Sequence, residues 1–272
     1  MKPPSEVLAY YERFPEESRL QLGAFRLEFE RSKAILARVL PPPPARVIDV
    51  GGAAGAYSAW LAAQGYEVHL IDASPRLVEE ARRHNATLTR PMTSLTVADA
   101  RALPQPDRSA AAVLVMGPLY HLTSASDRHT ALCEAFRVLA PSGVVVAAAV
   151  SRYASTLDGV RHNLASDPVF AAIRDRDLLD GQHRNETNHP GYFTTAYFHR
   201  PEDFQAELEA AGFDDVGVLG VEGPGWMLPD LDTRWADPAS REEILAVARL
   251  LESERSIVGA SAHLLGVGRK PG

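Results

Sequence analysis

The chain has 272 residues, 46% hydrophobic and 23% charged, with a formal net charge of -7. Such a composition suits a soluble globular chain, either one large α/β domain with additions or two small domains, and no apolar run approaches the roughly 20 residues that span a bilayer. The acidic balance without any Lys/Arg-rich segment gives no linear footprint of a nucleic-acid binder and favours a small-molecule substrate, while a single cysteine excludes an internal disulfide.

The opening "MKPPSEVLAYYERF" has no apolar core followed by a small-residue cleavage site, so neither signal peptide nor anchor is expected and the location is read as cytoplasmic. Residues 5–40 read as helical, because Leu22, Phe25, Phe29, Leu36 and Val39 recur at helical spacing. This N-terminal helical arm, residues 1–44, ends in the stiff spacer "PPPP" at 41–44. From Ala45 onward, β-branched runs alternate with amphipathic stretches: "ARVIDV" then "GAYSAWLAAQG", "YEVHLID" then "SPRLVEEARRHN", "LTVAD", "AAVLVMG" then "SDRHTALCEAFRVLA", and "GVVVAAAV". That rhythm predicts parallel strands joined by crossover helices over residues 45–150, and strands without polar alternation predict a sheet covered on both faces.

Ser74 before Pro75 reads as a helix N-cap, Ser142-Gly143 as the exit from a helix, and Cys133 in "ALCEAFRVL" as a buried helical thiol. Residues 151–200, rich in His, Asn, Asp, Arg and aromatics, lack periodicity and read as an insertion. A helix "PEDFQAELEAAGF", a strand "DVGVLGV", a Gly/Pro-rich loop, an amphipathic helix at 240–255 and a last strand "SAHLLGVG" make residues 201–272 the end of the same sheet, with a helical insertion.

A glycine-rich turn after the first strand lets a ligand approach the backbone, and an acid ending the second strand suits two ribose hydroxyls. Gly51 and Asp72 fill these positions; the alternatives are a plain tight turn for Gly51 and an N-cap role for Asp72. Gly51, Ala53 and Gly55 do not follow the G-x-G-x-x-G spacing of a dinucleotide site, so the expected ligand is a nucleoside without phosphates. Removing the Asp72 carboxylate is expected to abolish its binding with the fold intact.

Four ordered motifs between Arg46 and Val150, "VIDVGGAAG", "VHLIDASP", "VADARALP" and "AAVLVMGPLYHL" with "EAFRVLAPSGVVV", resemble those of the class I S-adenosylmethionine-dependent methyltransferases, in their small-molecule, type 11-like branch. Ala53 stands where that family has the middle glycine of its first motif, and Ser142 replaces the first glycine of "RVLxPGG". The resemblance implies a Rossmann-like seven-stranded, mostly parallel α/β sheet with helices on both faces, and S-adenosylmethionine lying across the ends of the first four strands. It implies cofactor contacts from Gly51, Gly52, Ala53, Asp72, Ala73, Asp99, Ala100 and Met116, with the Asp99 carboxylate on the adenine amino group. An arginine of the N-terminal arm would pair with the cofactor's carboxylate: Arg31 is the candidate, a helix-face pair with Glu28 the alternative. Tyr11 is a candidate for the same lid, or an ordinary packing residue.

Methyl transfer from an activated sulfonium asks the protein chiefly to align the nucleophile, exclude water and, where needed, remove a proton. His121 and Tyr120, just past the fourth strand, are the candidate catalytic residues; loop-structuring roles are the alternative. His183, Arg184, His189, Tyr192 and Tyr197 from the insertion, with Trp226, combine flat apolar surface with polar handles and are candidates for the acceptor pocket. No metal is expected, since His183, Glu186 and His189 lack a compact ligand motif. The reading is a methyltransferase for a small organic O, N or C nucleophile, as monomer or homodimer with no nucleic-acid or membrane partner. The rivals are a nucleic-acid or protein methyltransferase, a nicotinamide-dependent oxidoreductase, and a domain that binds the cofactor without transferring methyl.

Overall fold

The computed structural model describes Val7, Tyr10 and residues 23–272 apart from positions 165 and 188; Tyr11 lies outside the described residues. Helix α1 (Ala24–Val39) precedes the core, in which β1 (Arg46–Val50), β2 (Glu67–Asp72), β3 (Ser94–Val97), β4 (Ala110–Val115) and β5 (Leu139–Ser151) alternate with α2 (Ala56–Ala63), α3 (Pro75–Asn85) and α4 (Ala125–Val138). The 151–200 segment folds into α5 (Ala154–Arg161), α6 (Pro168–Asp180), β6 (Gln182–His183) and β7 (Ala196–His199). After it come α7 (Pro201–Ala210), β8 (Asp214–Gly220), α8 (Leu231–Ala236), α9 (Pro238–Leu251) and β9 (His263–Arg269). Among the described residues no helix is long and apolar enough to cross a membrane.

The main sheet runs β3-β2-β1-β4-β5-β9-β8, parallel from β3 to β5, with β9 antiparallel to both β5 and β8. These are the seven expected strands. Two short ones are added: β7 joins the end of β5 through Val150↔Phe198 and Ser151↔His199, and β6 pairs with β7. Alternation along the strands splits the core in two. Val47, Val68, Leu70 and Leu114 pack with α1, α2 and α3 on one face; Ile48, Val113, Val115 and Val145 pack with α4 and α7 on the other. With both faces covered, burial leaves no room for a polar alternation, which is why the strand runs read as continuous apolar segments.

Local signals behave as their chemistry dictates. The Ser74 hydroxyl accepts from the Leu77 amide at 3.3 Å and caps α3. Two expectations need correction. Strand β5 begins at Leu139 and carries Ser142 at φ 62 inside it, because α4 hands directly into the strand. Cys133 is exposed, on the outer face of α4, with His129 Nε2 3.4 Å from its sulfur; helical periodicity puts Ala131, Leu132 and Ala135 inward instead.

Candidate functional site

Chain order reverses between β1 and β4: β2 and β3 lie to one side of β1 and β4 to the other. Ligands in open α/β sheets bind at such a switch point, beyond the carboxyl ends of the strands. A cleft of about 640 Å³ opens there. Gly51, Gly52, Ala53, Asp72, Ala73, Asp99, Ala100 and Met116 all line it, as do Tyr120 and His121.

The turn after β1 explains its own composition. Gly51 sits at φ 75, its amide donating to Ile71 O at 2.7 Å, and a Cβ there would lie 2.5 Å from Pro118 Cδ. At Gly52 a Cβ would fall 2.8 Å from Asp49 Oδ2. Both positions exclude a side chain. Ala53 adopts a left-handed φ of 47, a region that favours glycine, and its amide donates to Asp72 Oδ2 at 2.9 Å. Asp72 Oδ1 accepts from the Ser74 amide at 2.8 Å. The carboxylate that ends β2 therefore also pins the turn of β1.

Beneath this turn lies Asp49, fully buried, accepting from the Ser58 hydroxyl at 2.7 Å, while its Oδ1 has no hydrogen-bond partner among the described residues. Burial pushes its carboxyl up to about 6, Ser58 acting against the rise and the neighbouring Asp72 charge adding to it. Asp99 is held by Arg101, a residue the sequence reading passed over: the guanidinium makes contacts of 2.9 and 2.7 Å to the two oxygens and reaches Asp127 at 3.0 Å. Burial works against the Asp99 charge, but Arg101 keeps the carboxyl below its usual range. Arg101 also lines the cleft.

Arg31 is not at the cleft. It is buried, with Nε donating to Val221 O at 3.1 Å and Nη2 2.5 Å from Glu252 Oε2, a carboxylate it shares with Arg38. The face of α1 that bears Arg31 turns to the end of α9, whereas Glu28, Phe29 and Ser32 line the cleft. The alternative Glu28 pair is not its contact either: the Glu28 carboxylate lies 3.8 Å from His263 Nδ1.

A second cavity of about 570 Å³ adjoins the first, and Tyr120 and His263 line both. Its walls include Phe170, His183, Tyr192, Phe193, Phe198 and Trp226. Of the six acceptor-pocket candidates, His183, Tyr192 and Trp226 are therefore placed here; Arg184, His189 and Tyr197 are not. Arg184 spends its guanidinium on the His183 and Ala196 carbonyls and on Gln182. His189 is exposed and stacks on Tyr192 at 4.2 Å. Tyr197 lies under the Arg128 guanidinium, 3.8 Å from the ring centroid, on the side of the sheet held by the Arg128–Glu207 pair.

Even the placed residues are anchored. His183, 2% exposed, has Asp177 Oδ2 2.9 Å from Nδ1 and Tyr192 O 2.7 Å from Nε2, and stacks on Phe198 at 4.7 Å. The Tyr192 hydroxyl donates to Asp167, and Trp226 Nε1 donates to Ala260 O at 2.9 Å. His121 points Nδ1 at Thr195 O at 3.1 Å; burial pulls its pKa down to about 4 against that bond, so the ring is neutral near pH 7. Glu222, Glu28 and His263 cluster at the junction of the two cavities; the sequence reading named Glu28 only as a partner for Arg31 and passed over the other two. They come from a loop, a helix and a strand that are far apart in the chain, so no local motif announces them.

Residues 47–143 match a family model described as a methyltransferase domain. The malonyl-[acyl-carrier protein] O-methyltransferase of Halorhodospira halophila is 38% identical over 125 residues, 44% of this chain and 40% of that protein. The demethylmenaquinone methyltransferase of Tropheryma whipplei is 37% identical over 100 residues, 37% of this chain and 39% of that protein. The chain thus spans about two fifths of the length of the curated relatives it matches. A SAM-dependent methyltransferase from Methanosarcina mazei superimposes with a TM-score of 0.58 at 16% identity, over 87% of this chain and 97% of that one, a likeness of fold.

Proposed function

We propose that the chain transfers a methyl group from S-adenosylmethionine to a small organic acceptor, a reading supported by the match of residues 47–143 to a methyltransferase-domain model. The observation that carries this reading is the adjacency of two cavities: the cleft at the strand switch point, with the β1 turn against Asp72, shares Tyr120 and His263 with an aromatic-walled chamber.

The residues present fit the donor. Gly51 and Gly52, where any Cβ would collide, let a ligand approach the backbone; Asp72 offers ribose acceptors; Asp99 and Ala100 lie where an adenine edge would be read. Asp72 and Glu28 at the cleft suit a cationic donor, Asp99 being paired with Arg101. When bound, the sulfonium supplies an already activated methyl group. The chain's part is to hold the acceptor in line, keep water out with Tyr120, Phe193 and Trp226, and accept any proton released. The malonyl-[acyl-carrier protein] and demethylmenaquinone in the relatives' names support a small organic group as acceptor, as does a net charge of -7.

Isothermal titration with S-adenosylhomocysteine tests the donor half. A dissociation constant of tens of micromolar or below is expected, and no binding at ~500 μM overturns the reading.

A further inference from the structure

We propose that Arg161 holds a carboxylate of the acceptor, so that the substrate is a flat organic acid whose negative charge lies apart from the atom that is methylated; this deepens the methyl-transfer reading and rests on it. Arg161 ends α5, is half-buried and lines the aromatic chamber but not the donor cleft. Its guanidinium stands 6.0 Å over the Trp226 ring, and among the described residues no hydrogen bond or ion pair engages it.

The neighbouring guanidiniums are all engaged. Arg152 Nε donates to Phe198 O at 2.7 Å, Arg184 is held by two carbonyls and Gln182, and Arg128 pairs with Glu207. The last turn of a helix suits a cation, yet Arg161 donates to none of the α5 carbonyls and lies over the indole instead. Trp226 is itself fixed through its Nε1 bond to Ala260 O at 2.9 Å. A guanidinium placed on an aromatic face keeps its N–H donors for a planar anion, which it can bind through two parallel hydrogen bonds.

The acids of the same wall leave this charge to a ligand. Asp158 Oδ1 lies 3.0 Å from His162 Nδ1. Glu222 is buried, with Oε1 2.5 Å from His263 Nδ1 and Oε2 accepting from the Ser261 hydroxyl at 2.8 Å and the His263 amide at 3.0 Å. Asp232 is exposed in the first turn of α8 and faces solvent. These acids also limit what the guanidinium accepts: beside them it balances a carboxylate monoanion, whereas a phosphate dianion would meet net repulsion. Phe170, Tyr192, Phe193 and Trp226 supply flat faces for the body of the acid. An acceptor anchored at Arg161 has one end fixed, which decides the end that turns to the junction at Tyr120 and His263.

The test compares phenylacetate, phenylacetamide and 2-phenylethylammonium, probes of one size and different charge, by isothermal titration into the protein saturated with S-adenosylhomocysteine. The wild type should bind phenylacetate about tenfold more tightly than phenylacetamide, with the ammonium weakest. Arg161→Met should bring acid and amide within about twofold by weakening the acid alone, and Arg161→Lys, which keeps the charge without the planar fork, should retain a preference of about threefold. A merely structural role would move acid and amide together. S-adenosylhomocysteine affinity, measured first on each variant, reports an intact cleft, and the lysine variant carries the test if Arg161→Met does not fold. Equal binding of acid and amide by the wild type, a preference for the ammonium, a preference that survives Arg161→Met, a parallel loss of both probes, or no probe bound at ~5 mM to a protein that binds S-adenosylhomocysteine overturns the assignment. Failure of the wild type to bind S-adenosylhomocysteine is a different result, and overturns the methyl-transfer reading beneath it.

Discussion

Replacing Asp72 with alanine removes two things at once. Its oxygens accept from the Ala53 amide at 2.9 Å and the Ser74 amide at 2.8 Å, so the carboxylate ties β2 to the turn of β1 and to the start of α3. Hydrogen bonds to a charged acceptor contribute ~1.5–3 kcal/mol each when buried; Asp72 is half-buried, which puts the pair nearer 2 kcal/mol in all. The free protein should therefore lose about 4–8 °C in melting temperature. Asn is no milder, because its NH2 must face one of the two amide donors whichever way it turns. Loss of the ribose acceptors should cost a further ~3 kcal/mol in binding, about 100-fold in the dissociation constant for S-adenosylhomocysteine. Thermal unfolding of the free variant and isothermal titration measure the two parts separately. The sequence alone suggested a fold left intact, whereas the Ala53 bond makes a stability loss compulsory. A variant that melts like the wild type and binds S-adenosylhomocysteine as well refutes the reasoning.

Arg31→Met leaves Glu252 with Arg38 alone and takes the Arg31 donor from Val221 O, and should destabilise the protein by about 1–2 kcal/mol in urea unfolding while leaving S-adenosylhomocysteine affinity within about threefold; a selective loss of affinity would point to Arg31 as a ligand contact. Asp49→Asn tests the buried acid. The Asp49 carboxyl is raised from 3.8 to about 6, so its contribution is fully present only below 3.8 and is lost as pH rises through 6; against the Asn variant, the wild type should lose roughly 3 kcal/mol between about pH 3 and about pH 7, and parallel stability curves would contradict it. Ala53→Gly relieves a left-handed alanine at ~1–2 kcal/mol and loosens the unfolded chain by ~0.5–1, so a net gain of up to about 1 kcal/mol is expected; a clear loss would mean that the methyl group packs productively.

What the sequence made legible follows from the range of each signal. Strands β1 to β5 and their helices were readable because period and apolar run length are local, and both faces of the sheet are covered. That the residues from Gly51 to Met116 meet in one cleft was legible because each ends a strand or lies in the turn after it, so topology carries them together. Arg31 misled for the opposite reason: helical spacing gives a residue's face but not what that face meets, and Glu252 lies 221 positions away. Tyr197 and Arg184 have the residue types of a pocket lining, yet Arg128 and two carbonyls claim them. The Glu222–His263 pair stayed hidden because its members join only when β9 inserts beside β5 and β8. Cys133 shows that an apolar neighbourhood in sequence does not fix burial when the helix face turns outward.

A crystal structure with S-adenosylhomocysteine tests the central claim most directly. The account predicts ribose at Asp72, adenine at Asp99 and Ala100, and the sulfur turned towards the junction lined by Tyr120 and His263. A ligand bound away from the turn of residues 51–53, or with its sulfur facing away from that junction, would contradict it.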